Sequence, residues 1–307
     1  MEYKNICVKI IADSISPQGI RLTTYELQYP RYIHAEIMTH RVFSRNAQSS
    51  RAVPVKKALE MESVTPIVWG KNVAGMSSVE ELEDVQLESA KALWDEAVNV
   101  TKIFSSRLAE QGLHKQWVNR MTEWFSPIKV VVTATEWDNF FWLRDDPEAA
   151  QPEIVELARK MRGEMYNSTP QLLQPGEWHL PYITTWREGE TVVYNVEVPD
   201  SPASRWAHVP KEVDLETAKK VSAGCCAAVS YRNNPSIEKC LEIWDKLFSG
   251  PKPHLSPVEH QATPMIQAEH NVYEGKTPLE EGITSYSSDL YCYSGNLRGW
   301  VQLRQVI

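Results

Sequence analysis

Residues 39–51 read Thr-His-Arg-Val-Phe-Ser-Arg-Asn-Ala-Gln-Ser-Ser-Arg, and the expected fold depends on this signature segment. It holds four cationic or imidazole side chains, three serines and two amides in a chain whose formal net charge is −8. Guanidinium groups bind phosphate oxygens in a bidentate manner, and hydroxyl and backbone N–H groups of an irregular segment add further donors. The segment therefore predicts a site for a small phosphorylated ligand, with a nucleotide as the first candidate.

The distribution of charge supports a small ligand over a long one. The overall negative charge would repel a polyanion over most of the surface, which argues against a broad nucleic-acid groove. Residues 21–57 nevertheless contain seven basic side chains and only two acidic ones, Glu26 and Glu36. A local basic region in an acidic chain is typical of a phosphate site.

Length and composition predict a compact protein with an ordinary apolar core. The chain has 307 residues, of which 42% are hydrophobic, and no tract suggests disorder. The five cysteines show no C-x-x-C pair and no zinc spacing, and their odd number argues against a disulfide framework. No stretch reaches the roughly 20 apolar residues of a membrane helix, and no signal-peptide core is found. These features predict a cytoplasmic location.

Periodicity predicts an α+β fold. Strands are expected at residues 6–11 and 21–29, and a short helix after Pro30 should carry His34, Glu36 and His40 before the signature segment continues as a loop. Residues 128–143 favour a short extended part followed by a helix. Amphipathic helices are expected at residues 153–166, 215–231 and 237–248.

Two further segments have distinctive patterns. Ser77 and Ser78 each precede a glutamate by three residues, as in a capping box, and apolar residues then recur at helical spacing as far as Gly112, which predicts a long core helix. Residues 167–213 are interrupted by six prolines, with a short strand expected at residues 191–198. This Pro/Trp-rich insertion has two open interpretations, a lid over a ligand or a packing element.

The signature segment, as H-R-x-x-S-x-N-x-x-S-x-R, resembles the signature of the flavin-dependent thymidylate synthases, which methylate dUMP using FAD. The segment departs from the family pattern at Thr39 and Ala47, where the family has an arginine and a glutamate, and Glu36 stands where a glutamine is common. The resemblance implies that His40, Arg41 and Asn46 face the flavin. It also implies that Glu36, Ser49 and Arg51 bind the nucleotide, the last two through its phosphate.

Two blocks farther along the chain resemble the same family. By this resemblance, Arg120 lies near the nucleotide phosphate, Asn139 contacts the flavin and Arg144 contacts the uracil ring. Arg144 follows a highly aromatic stretch, so its charge should have a partner. That partner is either a pyrimidine carbonyl or enolate, or a nearby acid in an ordinary ion pair, with the candidates Asp145, Asp146 and Glu148.

A third block is displaced. The family places an A-R-V-S-like element and an H-x-[ST]-P-F-E-H motif before the signature, whereas here the similar residues 227–232 and 254–260 come after it. The chain therefore resembles a circularly permuted member, which is compatible with termini that lie close together at a domain surface. On this view Ser230, His254, Ser256 and Glu259 return to the flavin site, with His254 ordering water or protons there. His254, Glu259 and His260 do not have the spacing of zinc ligands, so no metal is expected.

Other conspicuous residues favour structural roles. Cys225 and Cys226 lie in an apolar helical context and are expected to be buried thiols. His179 is expected to be a packing residue, with folate or lid contacts as the second possibility. No G-x-G-x-x-G or P-loop motif is present, so neither a Rossmann nicotinamide site nor a P-loop is supported.

The resemblance implies one α+β domain over residues 1–307, with the insertion at about 167–213, assembled as a homotetramer with shared active sites. The implied reaction is FAD-dependent reductive methylation of dUMP to dTMP, with methylenetetrahydrofolate and NADPH as co-substrates. One alternative is hydroxymethylation or another modification of a pyrimidine nucleotide, because of the departures at Thr39, Ala47 and Glu36. A second alternative is a non-catalytic nucleotide or RNA binder that uses residues 21–57.

Overall fold

The computed structural model describes residues 5–75, 78, 80–199, 208–230, 236–248, 250–270 and 280–307. A mixed sheet of five strands, formed within residues 7–172, has the order β3-β4-β2-β1-β5. All neighbouring strands in it are antiparallel except the parallel pair β1 and β5. The strands are β1 (Cys7–Ile15), β2 (Arg21–Pro30), β3 (Ser44–Ala47), β4 (Pro127–Ala134) and β5 (Gln171–Leu172).

Helices alternate with these strands and continue beyond them. The helices that precede β5 are α1 (His34–Ile37), α2 (Val55–Glu60), α3 (Asp84–Glu110), α4 (Lys115–Met121), α5 (Asp138–Arg144) and α6 (Pro152–Asn167). The second half contains α7 (Leu215–Ala227) and α8 (Ile237–Phe248). Among the described residues, no helix combines the length and apolarity needed to cross a membrane.

The central strands bury both faces of the sheet. Tyr25, Leu27 and Tyr29 of β2 point with Val130 and Val132 of β4 into a core shared with α5 and α6. On the other face Val131 packs against Cys226 and Val229, at and just beyond the end of α7. The period-2 alternation of side chains thus places helices on both sides of the sheet.

A second core lies beyond the sheet. The strands β6 (Thr184–Glu188), β7 (Thr191–Pro199) and β8 (His208–Val213) form an antiparallel sheet that packs with α7 and α8. Trp178, Leu180 and Tyr194 of the Pro/Trp-rich insertion are buried there. The described part of this insertion therefore contributes side chains to a packed core.

Short strands complete the C-terminal region. They are β9 (Ala262–Pro264), β10 (Ser285–Tyr286), β11 (Cys292–Ser294), β12 (Leu297–Arg298) and β13 (Trp300–Gln302). β9 pairs with β13, and β10, β11 and β12 form a small antiparallel sheet. This region contributes residues that contact the signature segment.

The α+β class and most predicted elements are confirmed. β1, β2, β4 followed by α5, α6, α8 and the strand at residues 191–198 all form as expected. The predicted helix at 215–231 ends at Ala227 and is followed by a 3-10 turn at Ala228–Ser230, while Tyr231 lies outside the described residues.

Three expectations about local structure are wrong. The signature segment does not stay irregular, because Ser44–Ala47 pairs with β4 as the edge strand β3. His40 lies after α1 and not on it. The long helix starts at Asp84, well after Ser78, and Ser77 lies outside the described residues.

The long helix α3 is also not a core helix. Val98 and Ser105 are buried, whereas Val85, Leu93 and Phe104 are at least half exposed. Helical spacing of apolar residues predicts a helix with one apolar stripe, but it does not show which surface covers that stripe.

Candidate functional site

Arg144 is the centre of a polar cluster at the end of α5. Its Nε–H donates to His40 Nε2 at 3.0 Å, and its Nη2 donates to Thr39 Oγ1 at 3.1 Å. Its Nη1 lies 3.5 Å from Glu36 Oε2. The structure therefore brings together Glu36, His40 and Arg144, which the sequence had selected separately.

Within the described residues, Arg144 does not form the local ion pair that was one of its two possible interactions. Asp145 instead accepts from Arg159 at 2.8 Å and pairs with Arg162 at 2.7 Å. The partner of Arg144 is Glu36, which is 108 residues away in the chain. Since the Arg144 side chain keeps 19% of its surface exposed, it can still meet a ligand.

His40 is held as a neutral acceptor. The residue is 6% exposed, and its ring lies between Phe43, with ring centroids 5.6 Å apart, and Phe140, at 5.0 Å. Burial, together with the nearby cations of Arg144 and Arg45, lowers the pKa of His40 to about 4. At neutral pH its Nε2 therefore accepts from Arg144, and its proton resides on Nδ1.

Arg45 orders the turn that carries His40, a role that sequence reasoning missed. Its Nη1 donates to the backbone oxygens of Met38 at 3.0 Å and His40 at 3.1 Å, just beyond the C-terminal end of α1. Cations are commonly found at unpaired carbonyls near helix ends, which is the signal that could have suggested this role.

β3 connects the signature segment to the later part of the chain. Asn46 Nδ2 donates to Cys226 O at 3.1 Å, which lies at the end of α7. The 3-10 turn Ser256–Glu259 also packs against β3. The fold thus places the displaced residues 256–259 beside the signature strand, as the permuted arrangement requires.

Gln302, another residue that the motifs did not suggest, joins these segments. It is 1% exposed, and its Nε2 donates to Glu259 O at 2.8 Å and to Ser44 Oγ at 3.2 Å. Ser44 Oγ in turn donates to Asn296 Oδ1 at 3.0 Å. These bonds hold the turn Ser256–Glu259 against β3, and no sequence signal indicated them.

The predicted flavin residues differ in their availability. Arg41, Asn139, His254 and Ser256 are exposed, and the half-buried Glu259 forms an ion pair with Arg304. Asn139 lies five residues before Arg144 on α5, about 140° around the helix, so the two side chains do not share a face. The side chain of Ser230 lies outside the described residues.

The residues predicted to bind the nucleotide phosphate form a group separate from the Arg144 cluster, beyond the C-terminal end of β3. Arg51 lies on a 3-10 turn, Ser50–Ala52, and Arg120 lies on α4. These elements are joined by Asn119, whose Nδ2 donates to Ser50 O at 2.8 Å. Arg51 and Arg120 are exposed, whereas Ser49 is half-buried. Arg120 lies 3.7 Å from Glu123.

The conspicuous histidine and cysteines have structural roles, as expected. His179 is 1% exposed and bonded to Ser14 Oγ at 2.9 Å and Thr24 Oγ1 at 2.8 Å, which fits the predicted packing role. Cys225 and Cys226 are buried, 8% and 0% exposed, as the apolar helical context predicted.

Comparison with known proteins agrees with the motif analysis. Residues 16–171, just over half of the chain, match the family model described as thymidylate synthase complementing protein. The fold and the matched region define a member of a nucleotide-modifying family, and the chain belongs to the flavin-dependent thymidylate synthases. The displaced residues 254–260 lie outside the matched region.

Two solved structures are similar at low identity. Both are of the UMP/dUMP methylase PolB from Streptomyces cacaoi, one bound with 5-Br UMP and the other with 5-Br dUMP. Their identities to this chain are 15% and 16%, with TM-scores of 0.43 and 0.40. The similarity covers 52% of this chain and 88% and 89% of those chains. No curated protein matches the chain.

Proposed function

We propose that the chain catalyses FAD-dependent reductive methylation of dUMP to dTMP, with methylenetetrahydrofolate as carbon donor and NADPH as reductant. The observation that carries this proposal is the orientation of the Arg144 guanidinium by Glu36, Thr39 and His40. A cation held by three partners within residues 36–40 is preorganised to stabilise negative charge on a pyrimidine ring.

The donor set fits a flavin nucleotide. Arg41, Asn139 and Ser256 are exposed polar groups near β3 or on α5, and Asn46 and Glu259 lie on elements that pack together. FAD presents phosphates, ribityl hydroxyls and a polar ring edge, which amide, hydroxyl and guanidinium groups can bind. Bound flavin would supply the electrons of the reduction.

The residues of the chain would position the nucleotide and stabilise charge. Arg51 and Arg120, with Ser49, would hold the phosphate, while Arg144 would hold the base. Because the Arg144 fork is already oriented, less reorganisation is needed as charge develops on the pyrimidine. We propose that His254, which is exposed beside the turn Ser256–Glu259, orders water near this site.

We also propose a homotetramer with shared active sites, built from one domain per chain and located in the cytoplasm. The exposed apolar stripe of α3, which includes Val85, Leu93, Val100 and Phe104, supports association of copies. The separation of the base group and the phosphate group at opposite ends of β3 is compatible with a site completed by a neighbouring subunit.

Absorption spectroscopy followed by an activity assay tests the proposal. Purified protein should show a flavin band and should convert dUMP to dTMP with methylenetetrahydrofolate and NADPH under low oxygen. Arg144→Gln should abolish dTMP formation with flavin retained. Arg159→Gln, a matched control in which the arginine pairs with Asp145 on the surface, should stay active. A yellow, folded wild-type protein that forms no modified nucleotide would refute the proposal. Colourless protein that binds RNA with steep salt dependence would favour the non-catalytic alternative.

A second candidate is modification of another pyrimidine nucleotide, or hydroxymethylation in place of methylation. The observation that favours it is the carboxylate of Glu36 on the Arg144 guanidinium, with Thr39 as a neutral neighbour. Mass analysis of the products separates the two candidates, because plain dTMP as the sole product would exclude the second.

A further inference from the structure

The donors and acceptors that the Glu36–Arg144 pair can still offer to a ligand indicate which base this pair would bind. A guanidinium carries five N–H groups. In Arg144, the Nε–H is bonded to His40, one Nη2–H to Thr39 and one Nη1–H to Glu36. Among the described residues, the remaining N–H on each terminal nitrogen has no partner. Arg144 can therefore offer two further donors to a ligand.

Glu36 extends this pair with an acceptor. Its carboxylate contacts Arg144 through Oε2, and 33% of its side-chain surface is exposed. An ionised carboxylate has about four acceptor positions and no donor. Because Glu36 meets the Nη1 atom of Arg144, the order of groups along this edge is acceptor, donor, donor.

The neighbouring groups keep this order fixed. His40 is neutral and accepts from Arg144, so its ring nitrogen at this point cannot act as a donor toward a base. Thr39 Oγ1 donates to Glu36 O at 2.6 Å and accepts from Arg144, so its hydroxyl proton is already used. Neither His40 Nε2 nor the Thr39 hydroxyl can therefore donate to an acceptor placed against Glu36.

The Watson–Crick edges of the two pyrimidines differ in the complementary pattern. Cytosine presents the N4 amino group, N3 and O2, which are donor, acceptor and acceptor. Uracil presents O4, N3–H and O2, so it would place a carbonyl against the carboxylate and an N–H against the guanidinium. We propose that Glu36 and Arg144 make this site select a cytosine nucleotide over a uracil nucleotide.

This inference rests on the proposed function in one respect, the contact of Arg144 with the base. It names a cytosine nucleotide as the substrate of the second candidate function, the modification of another pyrimidine nucleotide. Two groups that both match the base edge discriminate between bases by about 10- to 100-fold. dCMP should therefore bind the flavin-loaded protein about 10- to 100-fold more tightly than dUMP.

Isothermal titration of the flavin-loaded protein with dCMP and with dUMP tests the preference. In Glu36→Gln, the side-chain amide can donate to O4 of uracil as well as accept from N4 of cytosine, so the ratio of the two affinities should move at least tenfold toward dUMP. The matched control Glu62→Gln changes an exposed carboxylate away from the cluster and should leave the ratio unchanged. The wild-type ratio alone decides the proposal if Glu36→Gln does not fold.

The outcomes separate this inference from the proposed function. Wild-type protein that binds dUMP as tightly as dCMP and forms dTMP overturns the inference and leaves the proposed function intact. An unchanged affinity ratio in folded Glu36→Gln also overturns it. Flavin-loaded protein that binds neither nucleotide overturns both.

Discussion

Replacement of Thr24 by valine is expected to destabilise the protein strongly, because Thr24 lies in the middle of a buried hydrogen-bond chain. Its Oγ1 is 2.7 Å from Thr133 Oγ1 and 2.8 Å from His179 Nε2. His179 bonds onward to Ser14, and Thr133 to His260 Nδ1 at 2.8 Å. This series of hydrogen bonds thus crosses the main sheet from β1 to His260, the residue that follows the turn Ser256–Glu259.

The expected magnitude follows from two lost bonds. Each buried hydrogen bond contributes about 1 kcal/mol net, and a partner left unsatisfied adds about 1–3 kcal/mol. In the variant, His179 and Thr133 each keep one other hydrogen bond, so the penalty for an unsatisfied partner should lie near the lower end of this range for both residues. Thr24→Val should therefore lower the free energy of unfolding by about 2–4 kcal/mol.

Urea denaturation at pH 7 measures this change. Thr101→Val is the matched control, because Thr101 Oγ1 forms one side-chain hydrogen bond within the described residues, a solvent-exposed bond to Ala97 O on α3. This variant should change stability by less than about 0.5 kcal/mol. The double variant Thr24→Val/Thr133→Val should cost about 1 kcal/mol less than the sum of the single variants, since their mutual bond is lost only once. A loss below about 0.5 kcal/mol in Thr24→Val, or strict additivity, would refute this account.

Three other perturbations have definite expected outcomes. Burial lowers the pKa of His179 and of His260 to about 3. Below pH 6.5 the unfolded state therefore binds more protons than the folded state, and the free energy of unfolding should fall by up to about 1.4 kcal/mol per pH unit for each histidine. Urea midpoints that stay constant from pH 7 to 4.5 would contradict this. Gly224→Ala should cost about 1–3 kcal/mol despite its better helix propensity, because the new Cβ would lie 2.8 Å from backbone atoms of Cys240. Gly163→Ala, in open space on α6, should instead stabilise the protein by up to about 1 kcal/mol. Thermal unfolding in which Gly224→Ala is the more stable of the two variants would exclude this packing argument. Arg144→Lys keeps the charge but loses the planar fork, so nucleotide affinity measured by titration should fall about tenfold, and an unchanged affinity would show that the fork is not used.

Local periodicity was sufficient to predict much of the secondary structure. β2 alternates strictly between two faces, and α8 carries its apolar residues at helical spacing, so each pattern specifies its own element. α3 shows the limit of this approach. Its spacing predicted a helix correctly, but the predicted burial was wrong because burial depends on what else the chain brings to that face.

The polar cluster around Arg144 joins residues that separate motifs had selected, but its contacts could not be predicted from the sequence. Arg144 and His40 were selected from separate motifs, yet their bond joins residues 104 positions apart in the chain. Acids close in sequence were the natural partners to consider for Arg144, and the fold instead gives Asp145 to two arginines of α6. Gln302 could not be found from sequence, because a glutamine has no motif until its neighbours are known.

The sequence by itself determined the chemical groups of this protein and their local order: a basic, hydroxyl-rich segment at residues 39–51, the alternating strands around it, and the displaced residues 254–260. Only the tertiary structure decided how these groups are paired and charged. Hydrogen-bond partners such as Glu36 and Arg144 meet through the packing of α1 and α5, and the pKa of His40 falls to about 4 only once the ring is buried beside two guanidinium groups. Side-chain chemistry is a property of the residue, whereas hydrogen bonding and protonation are properties of its surroundings.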